Sequence, residues 1–203
     1  MPTTRESHVI YTRNELTNYK YYIDVINVLK KEHIKTYLDI GANVGEVCNY
    51  LFETFPTLQK AFLIEPEDEN YNFILTNVKN LEKVEIYKLA IGYDFKNPKL
   101  VNHESGNVGG FFLSEGDSTS PNVKVTTLEK LEIPIVDLVK IDVEGLEYNI
   151  IENSSYLQEI EWIEIEFHGH SDNSIIDYVN KYFPNHTIIV LENIGGRCLL
   201  KKI

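Results

Sequence analysis

The chain has 203 residues, 43% of them hydrophobic and 25% charged, which suits a globular domain with one sizeable core. The formal net charge of −12 argues against nucleic acid and against an anionic membrane surface as partners. No apolar run reaches transmembrane length, and residues 1–13 lack the apolar core of a signal peptide.

Cys48 and Cys198 are far apart in sequence, and Cys48 falls within a core-helix pattern. Both read as buried thiols rather than a disulfide, and the expected compartment is the cytoplasm.

Residues 14–32 place Leu16, Tyr19, Ile23, Ile26 and Leu29 at helical spacing. That predicts one amphipathic helix before the first strand, packed on the sheet edge or lying over a pocket as a lid. A single domain is expected, with 1–35 as an N-terminal helical extension and 36–203 as the core. From residue 36 strand and helix patterns alternate. Strands are predicted at 36–40, 61–64, 84–89, 123–127, 136–141 and 162–167, and helices at 44–55, 66–78, 146–153 and 173–183. The stretch 92–121 is rich in Gly, Asn and Ser and reads as irregular, with 105–110 expected to be a mobile loop that orders over a ligand. Two last strands, 186–191 and 197–202, flank Asn193-Ile194-Gly195-Gly196 and form an antiparallel hairpin. Right-handed crossovers make the earlier strands parallel, with helices on both faces of the sheet. In such α/β folds ligands bind beyond the carboxyl ends of the strands.

The residues at those ends carry the chemistry. Strand one runs into Asp39-Ile40-Gly41-Ala42-Asn43-Val44-Gly45. Gly41 and Gly45 permit a sharp turn and close approach of backbone to ligand. The following helix points free N–H groups at the same spot, and Asp39 adds a negative charge. A ligand bearing both a carboxylate and an ammonium suits that pair. A dinucleotide fingerprint would need glycine where Asn43 and Glu46 stand, and Glu46 would oppose a pyrophosphate. Glu65 ends strand two, 24 residues beyond Gly41, where a carboxylate can bind ribose hydroxyls. Pro66 follows at a helix start. Ala90-Ile91-Gly92, after strand three, is small and apolar enough to line an adenine face.

Strand four ends in Lys140-Ile141-Asp142-Val143-Glu144-Gly145-Leu146-Glu147, and strand five in Glu164-Ile165-Glu166-Phe167-His168-Gly169-His170. Alternation puts Glu164, Glu166 and His168 on one face. Two glutamates on a central strand are odd for a plain core, so Glu166 and His168 are expected to face a polar cavity. For Glu147 and Glu164 a solvated surface is the plainer reading, and for His170 a loop position.

The first of these motifs resembles the acidic glycine-rich turn of S-adenosylmethionine (SAM) methyltransferases, with Asn43 where many have glycine. Taken with Glu65-Pro66, Lys140 to Gly145 with Glu147, Glu166-Phe167-His168 and the short Val123–Leu128 segment, it resembles the FkbM family over about residues 36–170. The resemblance implies a class I methyltransferase (Rossmann-like) fold with a seven-stranded sheet, and O-methylation of sugar or polyketide hydroxyls. It places SAM against Asp39, Gly41, Asn43, Gly45, Glu65, Pro66, Ala90 and Asp142. The acceptor would be a small molecule or carbohydrate. Its hydroxyl needs a base, and His168 has the right ordinary pKa range, with Asp142 and Glu144 sharing or orienting that role and Glu144 or Glu166 as its neighbour. A divalent cation on those carboxylates and His168 is a lesser alternative. A non-catalytic SAM-binding module is the alternative of a different class.

Overall fold

Thr4 opens the first helix through a capping box: its side chain accepts from Ser7 N–H while the Ser7 hydroxyl caps Thr4 in return. In the computed structural model residues 4–102, 108–115, 123–169, 172–192 and 196–203 are described. The N-terminal region differs from the single helix expected at 14–32. It holds two helices, α1 (Arg5–Asn18) and α2 (Lys20–Leu29), parted at Tyr19, which is extended. Tertiary contacts hold the break: the Tyr19 hydroxyl donates to Glu192, and the Arg197 guanidinium stacks 5.6 Å from the Tyr19 ring centroid.

The core then follows as β1 (Thr36–Ile40), α3 (Glu46–Thr54), β2 (Lys60–Ile64), α4 (Asp68–Asn77), β3 (Val84–Tyr87) and β4 (Ala90–Ile91). Next come β5 (Pro98–Asn102), β6 (Phe111–Glu115) and β7 (Val125–Thr126). The chain closes with β8 (Leu138–Ile141), α5 (Glu147–Asn153), β9 (Trp162–Glu166), α6 (Asp172–Tyr182), β10 (His186–Leu191) and β11 (Arg197–Lys202). The main sheet has seven strands in the order β10-β11-β9-β8-β1-β2-β3. All its neighbours run parallel except β11, which is antiparallel to both β9 and β10. The class I methyltransferase-like fold expected from the sequence is thus present.

The stretch 92–121, expected to be irregular, contains an antiparallel pair instead: β5 and β6 align Pro98 with Glu115 and Asn102 with Phe111. Residues 105–107, within the loop expected to be mobile, lie outside the described residues, as do His170 and positions 193–195 of the last turn.

Side-chain alternation divides the core into two layers. Leu38, Ile40, Val139, Ile141, Ile163 and Ile165 face α5 and α6. Tyr37, Ala61, Leu63, Leu138 and Trp162 face α2, α3 and α4. Each fully buried aliphatic side chain contributes roughly 2 kcal/mol relative to exposure. The second layer also carries a row of charge. Asp39, Lys140 and Glu164 stand side by side in register across β1, β8 and β9. All three are buried, so Glu164 is not the solvated residue of the plainer reading. Glu164 accepts from the Tyr21 hydroxyl at 3.1 Å, and Lys140 Nζ lies 3.6 Å from Asp39 and 3.0 Å from Asp142. Removing any one of these charges would strand its partners away from water. Cys48 and Cys198 are free and buried, as expected.

Candidate active site

A cavity of about 440 Å³ opens beyond the carboxyl ends of β1, β2, β8 and β9. At its floor is the glycine turn. Gly41 has φ +94°, and a Cβ there would lie 1.8 Å from the Asp142 carbonyl oxygen, so only glycine lets these two strand ends meet. Asn43 adopts a left-handed φ of 51°, which asparagine tolerates. Glu65 receives two backbone N–H groups, from Asn43 at 2.8 Å and Glu67 at 2.9 Å. Burial still pushes its carboxyl up to about 8, against the pull of those two bonds.

Of the predicted cofactor residues, Gly41, Asn43, Glu65, Pro66, Ala90 and Asp142 line this cavity. Asp39 and Gly45 do not. Asp39 points into the α2/α3 layer behind the turn, fully buried beside Lys140, and burial raises its pKa despite that ammonium. Gly45 is the left-handed N-cap of α3, and a Cβ there would meet Val78 at 2.8 Å. Its glycine serves helix packing, not ligand approach. Glu46, read as a charge opposing a phosphate, is buried in an ion pair with Arg13 of α1.

At the β8 and β9 ends the predicted catalytic residues do meet. His168 Nε2 lies 3.6 Å from Glu144 and 3.9 Å from Glu166. Its Nδ1 is 2.9 Å from Oε1 of Glu147, a residue the sequence placed on a solvated surface. Glu147 is fully buried, and the same oxygen accepts from Val143 and Gly145 N–H groups at 3.3 and 3.1 Å. It holds the turn that presents Asp142 and Glu144, and it orients the imidazole. Glu144 and Glu166, the neighbours expected from sequence, thus stand at Nε2, and Glu147, which was not expected, is the partner at Nδ1. Burial alone would lower the His168 pKa, but the Glu147 bond and the Asp142, Glu147 and Glu144 charges raise it to about 9. For Asp142, burial acts upward, but Lys140 and His168 hold its carboxyl below the ordinary range. Asp142, Glu144 and His168 bring one ligand atom each within 4.8 Å of one another, close enough to share a divalent cation.

Several wall residues escaped the sequence reading. Arg197 of β11 binds Glu166 in a bidentate pair at 2.7 and 2.8 Å. From α1 come His8, Tyr11 and Glu15, and from the β5–β6 unit Leu100, Phe111 and Leu113. The run of three apolar residues Phe111-Phe112-Leu113 was a usable strand signal. The lid alternative for the helix at 14–32 covers Glu15, whereas the polar segment 5–13, which holds His8 and Tyr11, gave no helix signal. Arg5–Glu67 and Arg13–Glu53 ion pairs, at 3.1 and 2.6 Å, fasten α1 across α4 and α3.

The strand order and the cavity at the strand ends define a class I methyltransferase-like protein. The chain belongs to the FkbM methyltransferase family, whose domain model matches residues 39–187. Among solved structures it is similar to a methyltransferase FkbM from Methylobacillus flagellatus KT, with 16% identity and a TM-score of 0.58. That match covers 83% of this chain and 44% of the other, so this chain spans less than half the length of that relative. An rRNA methylase from Streptococcus thermophilus shares 9% identity and a TM-score of 0.54, over 92% of this chain and 99% of that one. A candidate tRNA (m1A22) methyltransferase from Streptococcus pneumoniae, crystallised with SAM, shares 16% identity and a TM-score of 0.51, over 88% and 72%. No curated protein matches significantly. Among the described residues no helix is long and apolar enough to cross a membrane.

Proposed function

We propose that this chain is a SAM-dependent O-methyltransferase acting on a hydroxyl of a sugar, glycan or related natural product. The observation that carries the reading is that one cavity joins two chemistries. On one side are the Gly41 turn and the Glu65 carboxylate, suited to a nucleoside. On the other are Asp142, Glu144, Glu166 and His168, suited to a hydroxyl and its proton. FkbM family membership supports it, and so does the SAM bound in the Streptococcus pneumoniae relative.

The residues fit SAM. The Gly41 turn leaves backbone bare where a Cβ would collide, and each Glu65 oxygen, bonded once, retains a lone pair for a ribose hydroxyl. SAM supplies, when bound, an electrophilic methyl group. Glu65 would hold the ribose, and Ala90 would line the adenine face. Pro66 sets the chain direction after Glu65. Asp142 and Glu144 would orient the acceptor hydroxyl, a positioning effect that supplies several kcal/mol of barrier lowering. His168 would take its proton at Nε2, with Glu147 holding the ring through Nδ1 and stabilising the imidazolium. In the free chain His168 already carries that proton at neutral pH. A positive charge entering the cavity would lower its proton affinity and release the base.

A divalent cation on Asp142, Glu144 and His168 is a second reading, favoured by the convergence of their ligand atoms. RNA is a weaker acceptor than a sugar despite the RNA methyltransferases among the structural relatives. The net charge is −12, and Glu15, Asp142, Glu144 and Glu166 crowd the wall where a phosphodiester would pass. Transfer of a labelled methyl group from SAM to a panel of sugars, glycans and RNA tests the proposal, and a chain that binds SAM and methylates nothing would be a binding module instead.

A further inference from the structure

His8, Tyr11 and Glu15 recur at helical spacing along α1, so they share one face, and that face lines the cavity. At a rise of about 1.5 Å per residue, His8 and Glu15 stand about 10 Å apart along the axis. The two ends of the face meet different halves of the cavity. His8 is at the nucleoside half, with Nε2 3.1 Å from Nδ2 of Asn43, whose N–H is bonded to Glu65. Glu15 is at the other half, where Arg197, Asp142 and Lys140 act on its charge. Tyr11 is acted on by Glu15, Arg197 and Glu166. Tyr11 and Glu15 therefore border the half that holds Asp142, Glu144, Glu166 and His168, where an acceptor hydroxyl would stand.

Both side chains are open to a ligand. Tyr11 is 45% exposed although it lines the cavity, so its ring stands at the mouth and is not consumed in the core. Glu15 and Glu166 are half-buried. Neither Tyr11 nor Glu15 is needed to dock the helix. The buried Leu16 and the ion pairs of Arg5 with Glu67 and of Arg13 with Glu46 and Glu53 already fasten α1 to the body.

The chemistry of this half is one-sided. An aromatic face takes the C–H face of a ring-shaped molecule, while ionised carboxylates such as Glu15 and Asp142 accept hydrogen bonds and give none. A ligand matching both has an apolar face and several O–H donors around its edge, which is the make-up of a sugar ring. A sugar with its own carboxylate would face Glu15 and Glu166, a like-charge contact that rejects it. The cations of this half do not offset that contact: Arg197 is held bidentate by Glu166, and His168 is bonded to Glu147.

We propose that Tyr11 and Glu15 select the acceptor, a sugar free of acid groups, with the Tyr11 ring against the face of the sugar and Glu15 accepting from hydroxyls at its edge. This rests on the reading of the chain as a sugar O-methyltransferase. Both residues lie outside the span matched by the FkbM domain model, 39–187.

Initial rates of methyl transfer from labelled SAM test it, with neutral hexoses and the matching uronic acids as acceptors. Tyr11→Ala, Tyr11→Phe and Glu15→Gln are compared with the parent, each checked for an unchanged melting temperature, and S-adenosylhomocysteine affinity is measured by calorimetry. Tyr11→Ala should raise the acceptor KM on the order of tenfold, and Tyr11→Phe, which keeps the ring, should stay near the parent. The parent should prefer the neutral hexose to its uronic acid, and Glu15→Gln should narrow that preference. S-adenosylhomocysteine affinity should hold in all three variants. A parent-like KM in Tyr11→Ala, an equal loss of S-adenosylhomocysteine affinity, or a parent that prefers the uronic acid would overturn the proposal and leave the methyltransferase reading in place. A parent that binds S-adenosylhomocysteine and methylates no sugar would sink that reading, and the selection by α1 with it.

Discussion

Oε1 of Glu147 lies 2.9 Å from Nδ1 of His168 and also takes the N–H groups of Val143 and Gly145. One fully buried carboxylate therefore ties the β8 turn to the residue beyond β9. The bond favours the charged ring and raises the His168 pKa from its ordinary 6.5 to about 9. A raised folded-state pKa stabilises the fold fully below about pH 6.5, and that share is lost as pH rises through about 9. The stability advantage of the parent over His168→Asn, from urea unfolding, should be present at pH 6 and shrink by pH 9.5. In Glu147→Gln an NMR titration should find the His168 pKa well below its parent value. A constant advantage across that range, or an unmoved pKa, would dissolve the pair as described.

Gly41 supports a second expectation. Gly41→Val adds a branched side chain at φ +94°, where even a Cβ would lie 1.8 Å from the Asp142 carbonyl. The β1 and β8 ends must part, at a cost of about 1–3 kcal/mol or more in stability. S-adenosylhomocysteine affinity should fall in the protein that still folds, measured by calorimetry below its melting point. Parent-like affinity and stability together would remove this turn from the site.

The metal reading has its own experiment. With His168 as a direct base, dialysis against a chelator should leave turnover unchanged, since no step needs a cation. Loss of turnover with chelator and its return with magnesium or manganese would instead assign Asp142, Glu144 and His168 to a cation.

Periodicity made most of the sheet legible. The pattern at 36–40 is β1, and the patterns at 186–191 and 197–202 are β10 and β11, because strand signals with turn residues between them are local. The β5–β6 pair was hidden by the Gly, Asn and Ser around it, although Phe111-Phe112-Leu113 is an apolar run with a buried Leu113. The break at Tyr19 could not be read locally, since it depends on Glu192 and Arg197 from the far end of the chain. The site followed the same division. Gly41, Glu65, Asp142 and His168 sit where strand ends place them. Glu147, Arg197 and His8 act through partners 21 to 35 residues away in sequence, at distances no spacing rule supplies. Asp39, read as facing the ligand, faces inward because strand alternation places it with Tyr37 and Lys140 on the α2/α3 layer.

The most direct measurement is methyl transfer from labelled SAM to a panel of sugars, amino sugars, glycans and RNA, with the site of methylation found by mass spectrometry. The account predicts an O-methyl product from a carbohydrate or related hydroxyl compound, and none from RNA. His168→Asn should lower turnover by on the order of a hundredfold or more while leaving SAM affinity level. In the parent, kcat/KM for SAM should rise with pH toward the free-chain His168 value near 9, the step at saturating SAM should lie lower, and both should vanish in the variant. Label on RNA or on nitrogen, or SAM binding with no methylated acceptor, would contradict the account.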